Sequence, residues 1–181
     1  MKLGIFPLTC DKYEDRRSAI LDTWAKGHPH EVIFLGDREL HTGPDNRVLQ
    51  LNCMDPVSSH PALTDNPYED APHKLFNAFR SLSESEFTWL FFCDDDTYVK
   101  VHLLQEYVES VRQKFGDNAG GVWGLSMKNG YEHDRDLDYP SGGAGYLTNV
   151  STLRHLVPYL DGAKKTEPDA WGDVMLGFAL R

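Results

Sequence analysis

The stretch WLFFCDDDTYVK, residues 89–100, joins an uncharged and largely aromatic run to three consecutive aspartates. The uncharged run predicts a buried strand, because a strand that is covered on both faces shows no polar alternation. In open α/β sheets, ligands bind at the carboxyl ends of the strands. Asp94, Asp95 and Asp96 would lie at such an end, where carboxylates hold Mg²⁺ or Mn²⁺ together with a diphosphate. The alternative is a solvated acidic turn that caps the next helix.

Strand and helix patterns alternate on both sides of this stretch. Apolar strand patterns at residues 2–8 and 31–37 flank a helical pattern at residues 13–27, and such a βαβ unit predicts a parallel sheet covered by helices. Amphipathic helices are predicted at residues 71–85 and 101–115, because apolar residues recur there at helical spacing. The apolar positions are Leu75, Phe76, Phe79 and Leu82 in the first helix and Val101, Leu104, Val108, Val111 and Phe115 in the second.

Less regular patterns fill the rest of the chain. Residues 37–72 are predicted to be a long polar loop that contains one short strand pattern, RVLQLNC. The other predicted elements are a strand at residues 120–127, a glycine-rich loop at 129–145, a helix at 151–160 capped by Ser151, and a last helix around 173–180.

The composition limits the classes of fold and function. The chain has 181 residues, of which 40% are hydrophobic, and this suffices for one globular domain with its own core. A formal net charge of −10 repels a phosphate backbone, so we do not expect nucleic acid as a partner. A nucleotide that is bound through a divalent cation is compatible with this charge, because the metal bridges carboxylate and phosphate.

Four short features of the sequence bear on its chemistry. Cys10, Cys53 and Cys93 have no CxxC spacing, which favours reduced thiols over a disulfide framework or a zinc site. The N-terminal apolar run is too short for a signal peptide or a membrane span. Asn149 opens an Asn-Val-Ser motif that fits a glycosylation acceptor, although such motifs recur by chance. The glycine segment, SGGAG at residues 141–145, lets the backbone approach a ligand closely, or it simply connects a strand to a helix.

Several stretches resemble, in the same order, the motifs of the Fringe and core-1 β1,3-galactosyltransferase family of inverting glycosyltransferases. A helix with HKLFNAF resembles the one that carries a family lysine, here Lys74. Together these stretches span nearly the whole chain. The four main ones are RRSAILDTW at residues 16–24, WLFFCDDDTYV at 89–99, SGGAGYLTN at 141–149 and GDVMLGFAL at 172–180.

This resemblance implies a GT-A fold, which is an α/β, Rossmann-like mixed and mainly parallel sheet flanked by helices. It implies one domain over residues 1–181, with a nucleotide-binding half at about residues 1–100 and an acceptor-binding half at about residues 101–181. The implied ligands are a UDP-sugar donor, Mn²⁺ or Mg²⁺, and a glycan or glycoconjugate acceptor.

The resemblance also implies roles for individual residues. Asp96 is the implied metal ligand, with Asp94 beside it, and Asp94 and Asp95 are expected to contact the ribose or the metal's waters. Arg17 is implied in the nucleotide pocket, although an exposed position at a helix start is equally compatible with its sequence. The full set of implied nucleotide-pocket residues, besides the aspartates, is Thr9, Arg17, Asp37, Lys74, Gly142 and Gly143.

Inverting transfer needs one carboxylate that deprotonates the acceptor hydroxyl as it attacks the anomeric carbon. Asp173 occupies the family's base position, and Asp169 is the reserve candidate. Asp173 is also a plausible cap for the last helix, because Asp is favoured there. Trp171 either stacks on a sugar or belongs to the core. The family usually has a further histidine after the base, and none lies between Asp173 and Arg181; we expect Asp96, the diphosphate and water to hold the metal unless a ligand lies beyond this segment.

The function expected from these features is metal-dependent transfer of a hexose from a UDP-sugar to a hydroxyl, with inversion and a β1,3 linkage. One alternative is a module that binds a UDP-sugar but has lost turnover. Another is a metal-dependent phosphohydrolase, which would leave the glycine segment and the Asp173 element unexplained. The thiols and the short length lead us to expect a compact cytoplasmic form from a bacterium or virus, or a Golgi-lumenal domain if the chain is trimmed.

Overall fold

A computed structural model of the chain shows eight strands and six α-helices within the part of the chain that it describes. The described residues are 2–28, 31–36, 48–50, 67–128, 137–166 and 172–180. The strands are β1 (Leu3–Leu8), β2 (Phe34–Gly36), β3 (Val48–Gln50), β4 (Trp89–Asp94), β5 (Val122–Gly124), β6 (Ser126–Lys128), β7 (Asp138–Pro140) and β8 (Tyr146–Asn149). The helices are α1 (Glu14–Asp22), α2 (Pro67–Ser83), α3 (Val101–Phe115), α4 (Val150–Leu156), α5 (Leu160–Thr166) and α6 (Gly172–Ala179).

The main sheet has six strands in the order β3-β2-β1-β4-β8-β5. β3, β2, β1 and β4 run parallel, whereas β8 runs antiparallel to both of its neighbours. β6 and β7 form a separate antiparallel ribbon. The prediction of an α/β fold with a mixed, mainly parallel sheet is therefore confirmed.

The strand order reverses between β1 and β4. From β1 the chain adds β2 and β3 on one side, and it then crosses to add β4 on the other side. β1 and β4 pair in register along their whole length, and Leu8 lies opposite Asp94 at their carboxyl ends. In open α/β sheets the crevice at such a reversal is where ligands bind. The fold thus puts the aspartate triplet directly at this crevice.

Apolar side chains cover both faces of the main sheet. Helices α2, α4, α5 and α6 contribute to one core cluster, and α3 with the end of α1 contributes to the other. The predicted apolar face of α2 is buried, and so is that of α3 as far as Val111. Phe115, which was predicted to continue that face, is 50% exposed because α3 ends there, and its ring lies 6.0 Å from that of Trp123.

The structure corrects several predictions about the second half of the chain. Residues 120–127 were predicted as one strand, but they form β5 and β6, which belong to different sheets. Residues 129–145 were predicted as a glycine-rich loop, but Asp138–Pro140 within them form β7, and the strand β8 that follows at Tyr146–Asn149 was not predicted. Four residues are too few to show a period, so sequence patterns do not reveal β8. The strand is defined instead by its antiparallel pairing with β4.

Asn149, and not the predicted Ser151, caps helix α4. Its side-chain oxygen accepts a hydrogen bond from the backbone N–H of Thr152 at 2.8 Å. Its amide nitrogen donates to the carbonyl of Ala119 at 2.6 Å, and the residue is only 1% exposed. A glycan is attached to this amide nitrogen, so its attachment would disturb the bond to Ala119 and expose a buried side chain, and the fold disfavours glycosylation here.

The remaining sequence features stand as follows. Cys10 and Cys93 are buried and form no disulfide, as predicted, whereas Cys53 lies outside the described residues. Of the long polar segment at 37–72, the predicted short strand is present as β3. Among the described residues, no helix has both the length and the hydropathy needed to cross a membrane.

Gly145, directly before β8, should be a position where a single methyl group disrupts the main sheet. Its φ is +78°, and an added Cβ would collide with the ring of Phe91. We expect Gly145→Ala to lower the free energy of unfolding by about 1–2 kcal/mol for the backbone conformation and about 1–3 kcal/mol more for overpacking. Chemical denaturation measures this change. Gly27→Ala is the matched control, because Gly27 also has a positive φ of +92° but has open space around it. Equal losses in the two variants would contradict this packing.

Candidate active site

A pocket of about 420 Å³ opens at the carboxyl ends of β1 and β4. It brings together most of the residues that the sequence had singled out, although they lie far apart along the chain. Those that line it are Thr9, Lys74, Asp94, Asp95, Asp96, Gly142, Gly143 and Asp173. Asp37, Asp169 and Trp171 lie outside the described residues.

The three aspartates have three different environments. Asp95 is buried and accepts a hydrogen bond from the Thr9 hydroxyl at 2.8 Å and another from the Arg16 guanidinium at 2.7 Å. The side chain of Asp96 is 63% exposed, and its carboxylate lies 3.5 Å from the same guanidinium. Asp94 is half-buried and faces the glycine segment. Asp95 therefore has a structural part in the pocket, whereas Asp94 and Asp96 present their carboxylates to it.

The glycine segment lies between the aspartates and Asp173. The backbone N–H of Gly142 donates to Oδ2 of Asp173 at 3.1 Å. The hydroxyl of Thr97, directly after the triplet, donates to the carbonyl of Gly143 at 2.8 Å. A Cβ on Gly142 would lie 3.5 Å from Asp173 Oδ2 and 3.7 Å from Asp94 Oδ1. The backbone of this segment thus touches both acidic elements, and a side chain here would fill the space beside them.

Asp173 has a role in helix α6 as well as in the pocket. It is in the first turn of α6, where an acidic residue interacts favourably with the helix dipole. One carboxylate oxygen accepts from the backbone N–H of Val174 at 2.8 Å, and the other accepts from Gly142. Asp173 thus lies within the first turn of α6 and not at the N-cap position of the alternative interpretation, and its carboxylate lines the pocket. These bonds fix the orientation of the carboxylate.

Two buried cations hold the end of β1 in place. Lys74, on α2, is 2% exposed and its ammonium donates to the carbonyl of Thr9 at 3.2 Å. Arg17, on α1, is 8% exposed and its guanidinium donates to the carbonyl of Cys10 at 2.6 Å. Lys74 lines the pocket, but Arg17 is not among the lining residues.

Arg16 lines the pocket, and sequence reasoning had not selected it. Its guanidinium lies 4.0 Å from the centre of the Tyr13 ring and pairs with Asp95 and Asp96. Adjacent residues of a helix point about 100° apart, so only one of Arg16 and Arg17 can face the pocket. The arginine pair at a helix start was the signal in the sequence. That signal does not indicate how α1 is rotated about its axis, and the rotation decides which arginine faces the pocket.

The pocket concentrates negative charge. Burial, followed by the charges of Asp96, Asp173 and Asp95, raises the pKa of Asp94 to about 6, while Arg16 opposes this shift. Burial and the charges of Asp173 and Asp94 raise the pKa of the Tyr146 phenol, which therefore stays neutral. An oxygen-only set of carboxylates that repel one another is chemically suited to Mg²⁺ or Mn²⁺. Among the described residues, no three His, Cys, Asp or Glu side chains form a complete metal cluster.

Comparison with known proteins identifies the family. The sequence model of the Fringe-like family matches residues 8–181. The chain belongs to the Fringe-like family. The Fringe-like chain is also similar to chondroitin sulfate synthase 3 of Mus musculus, with 24% identity over 180 residues. That match covers 96% of this chain but 20% of the relative, so the chain spans about a fifth of the relative's length.

Family membership confirms the resemblance that the motifs had indicated. The Fringe-like family is a family of glycosyltransferases, and its GT-A fold agrees with the mixed sheet found here. The match begins at Leu8, the last residue of β1, and it includes β4, the glycine segment and helix α6. The pocket described above is therefore the candidate active site of this Fringe-like chain.

The raised pKa of Asp94 gives a stability prediction with a definite sign. Its folded pKa of about 6 exceeds the value in an unfolded chain, about 4, so the folded state holds the proton more tightly. The resulting stability is complete below about pH 4 and is lost as the pH rises through about 6. We expect Asp94→Asn, in metal-free buffer, to gain thermal stability over the wild type as the pH rises, by at most roughly 3 kcal/mol.

Differential scanning calorimetry at several pH values measures this gain. Asp161→Asn is the matched control, because the Asp161 side chain is 75% exposed and lies outside the pocket. A Tm difference between Asp94→Asn and the wild type that stays constant from about pH 4 to about pH 7 would show that Asp94 does not titrate in this range.

Proposed function

We propose that this protein transfers a hexose from a UDP-sugar to a hydroxyl of a glycan or glycoconjugate, with inversion and a β1,3 linkage. The observation that carries the proposal is the bridge at Gly142, whose backbone contacts Asp173 and lies beside Asp94. Through this contact, the aspartates at the end of β4 and the carboxylate of Asp173 face one pocket. Membership in the Fringe-like family supports the same reaction class.

The donor is proposed to bind over the ends of β1 and β4. Asp96 and Asp94 would hold a divalent cation, Mn²⁺ or Mg²⁺, because both line the pocket while the two oxygens of Asp95 already accept from Thr9 and Arg16. Magnesium-type sites commonly take one or two carboxylates and complete the shell with phosphates and water, so Asp94 and Asp96 would suffice as side-chain ligands. When bound, such a cation stabilises the charge of the leaving diphosphate.

The base is proposed to be Asp173. An acceptor hydroxyl that donates to its carboxylate would lie beside the glycine segment, next to the space over Asp94. The bonds from Gly142 and Val174 prevent the carboxylate from turning away, so one of its lone pairs can remain directed at the hydroxyl proton. Removal of that proton makes the oxygen a stronger nucleophile towards the anomeric carbon.

The base assignment predicts a variant that binds the donor but does not transfer. We expect Asp173→Asn to lower kcat by roughly 10²–10⁴-fold, the usual contribution of a general base. Its affinity for UDP with Mn²⁺ should stay within about threefold of the wild type, because neutral Asn can still accept from Gly142. Transfer is followed by product chromatography with UDP-galactose, UDP-glucose and UDP-N-acetylglucosamine, and UDP binding by calorimetry.

Several outcomes would contradict this function in different ways. Full transfer activity in Asp173→Asn would exclude Asp173 as the base. Binding of UDP by the wild type, with neither transfer nor donor hydrolysis under any of the three donors, would favour a binding module. Cleavage of the diphosphate bond with no sugar transfer would favour a phosphohydrolase. Asp161→Asn serves again as the exposed control and should retain wild-type kinetics.

The division of labour within the triplet can be tested by a pair of variants. Asp96→Ala should weaken the binding of UDP with Mn²⁺ at least roughly tenfold, while its Tm stays near that of the wild type, because Asp96 is largely exposed. Asp95→Ala should instead lower the Tm, since it removes the buried carboxylate to which the Thr9 hydroxyl and the Arg16 guanidinium donate. Calorimetry and thermal unfolding measure the two effects. The reverse assignment, with Asp96 decisive for stability, would contradict this geometry.

A further inference from the structure

We propose that Arg16 couples the binding of the divalent cation to the binding of the donor diphosphate: it opposes the cation alone and donates hydrogen bonds to the diphosphate when both are present. This inference rests on the proposed function of the same pocket. It is carried by the position, the charge and the two unequal ion pairs of Arg16.

The two ion pairs of Arg16 differ in strength. The contact with Asp95 is short, at 2.7 Å, and Asp95 is 5% exposed, so this hydrogen bond is sheltered from water and salt. The contact with Asp96 is 3.5 Å long, and Asp96 is 63% exposed. Exposed pairs of this kind contribute little to stability. Arg16 is therefore anchored on Asp95, and its hold on Asp96 is easily exchanged for another cation.

The charge of Arg16 has opposite consequences for two kinds of ligand. Asp96 is both a partner of Arg16 and the proposed principal metal ligand. A cation that binds there meets a positive guanidinium within a few ångströms, and like charges repel. A diphosphate that arrives with the cation reverses this balance, because its negative oxygens attract the same guanidinium.

Arg16 is also built to donate to such a ligand. A guanidinium has five N–H donors in a planar fork that matches phosphate oxygens. Both acid contacts use the same nitrogen, Nη1. The Tyr13 ring, 4.0 Å from the guanidinium carbon, holds the plane of the fork, and the side chain is 35% exposed at the pocket wall. The group can thus stay on Asp95 and still present donors to the pocket.

The test compares the binding of Mn²⁺ alone with the binding of UDP in the presence of Mn²⁺. We expect Arg16→Gln to raise the affinity for Mn²⁺ alone by roughly threefold or more. It should lower the affinity for UDP in the presence of Mn²⁺ by roughly tenfold or more, a coupling of the size usual between linked sites. A side chain with a merely structural role would change both affinities in the same direction. Isothermal titration calorimetry gives both affinities without any measurement of turnover.

A second variant keeps the test decisive if Arg16→Gln is unstable. Arg16→Lys keeps the positive charge but loses the planar fork. It should bind Mn²⁺ alone as the wild type does, and it should bind UDP with Mn²⁺ more weakly. Arg112→Gln is the matched control, because Arg112 also pairs with two acids, Glu109 and Asp117, but lies outside the pocket. It should change neither affinity.

The outcomes separate this inference from the proposed function. Failure of the wild type to bind UDP with Mn²⁺ would overturn the proposed function and the inference together. Binding of UDP by the wild type, with both affinities unchanged in Arg16→Gln and Arg16→Lys, would overturn only the inference. Only the inference would also be overturned if both variants lowered the affinity for Mn²⁺ alone and the affinity for UDP with Mn²⁺ by equal factors.

Discussion

The carboxylate of Asp95 joins the two central strands at the point where the strand order of the sheet reverses. It accepts from Thr9, which follows β1, and from Arg16 on α1, while it directly follows β4 itself. A buried carboxylate without partners costs several kcal/mol, so the ends of β1, β4 and α1 are held to one arrangement. The crevice at these strand ends, and every side chain that faces it, depends on this junction.

A second set of contacts carries the geometry from the triplet to Asp173. Thr97 holds the carbonyl of Gly143, and Gly142 holds the carboxylate of Asp173. The chain between these points crosses α3, the β6–β7 ribbon and α4, yet the contacts themselves are short hydrogen bonds. Glycine is suited to this position because a side chain would occupy the space between the two acidic elements. One short backbone segment thereby relates the proposed donor half to the proposed base.

The side chains that line the pocket carry an excess of negative charge. Among the described residues, Arg16 supplies the single lining guanidinium, and it pairs with two of the three aspartates. Burial, together with that excess of charge, raises the pKa of Asp94 in the folded chain. Sites that concentrate like charges at some expense to stability are typical of functional rather than structural positions. The pairing of a costly acid cluster with an exchangeable arginine is consistent with a pocket whose ligand brings both a cation and an anion.

Sequence patterns predicted much of the fold. The apolar faces of α2 and most of α3, the strand before the triplet and the βαβ unit at the start were all recognisable, because helix and strand periods are local properties. β8 was not recognised, and neither was the division of residues 120–127 between two sheets. Short strands carry too few residues to show a period, and their existence depends on a partner strand elsewhere in the chain.

The sequence by itself determined the chemical groups and the family: the acid triplet after a buried strand, the glycine segment, Asp173 and the Fringe-like motifs that connect them. Only the tertiary structure decided which of these groups face one another. It turned Arg16 towards the acids and Arg17 towards the backbone, and it made Asp95 a junction between strands. Asn149 likewise became the buried cap of helix α4. These outcomes depend on hydrogen bonds between residues that are distant in sequence, and no local pattern specifies such partners.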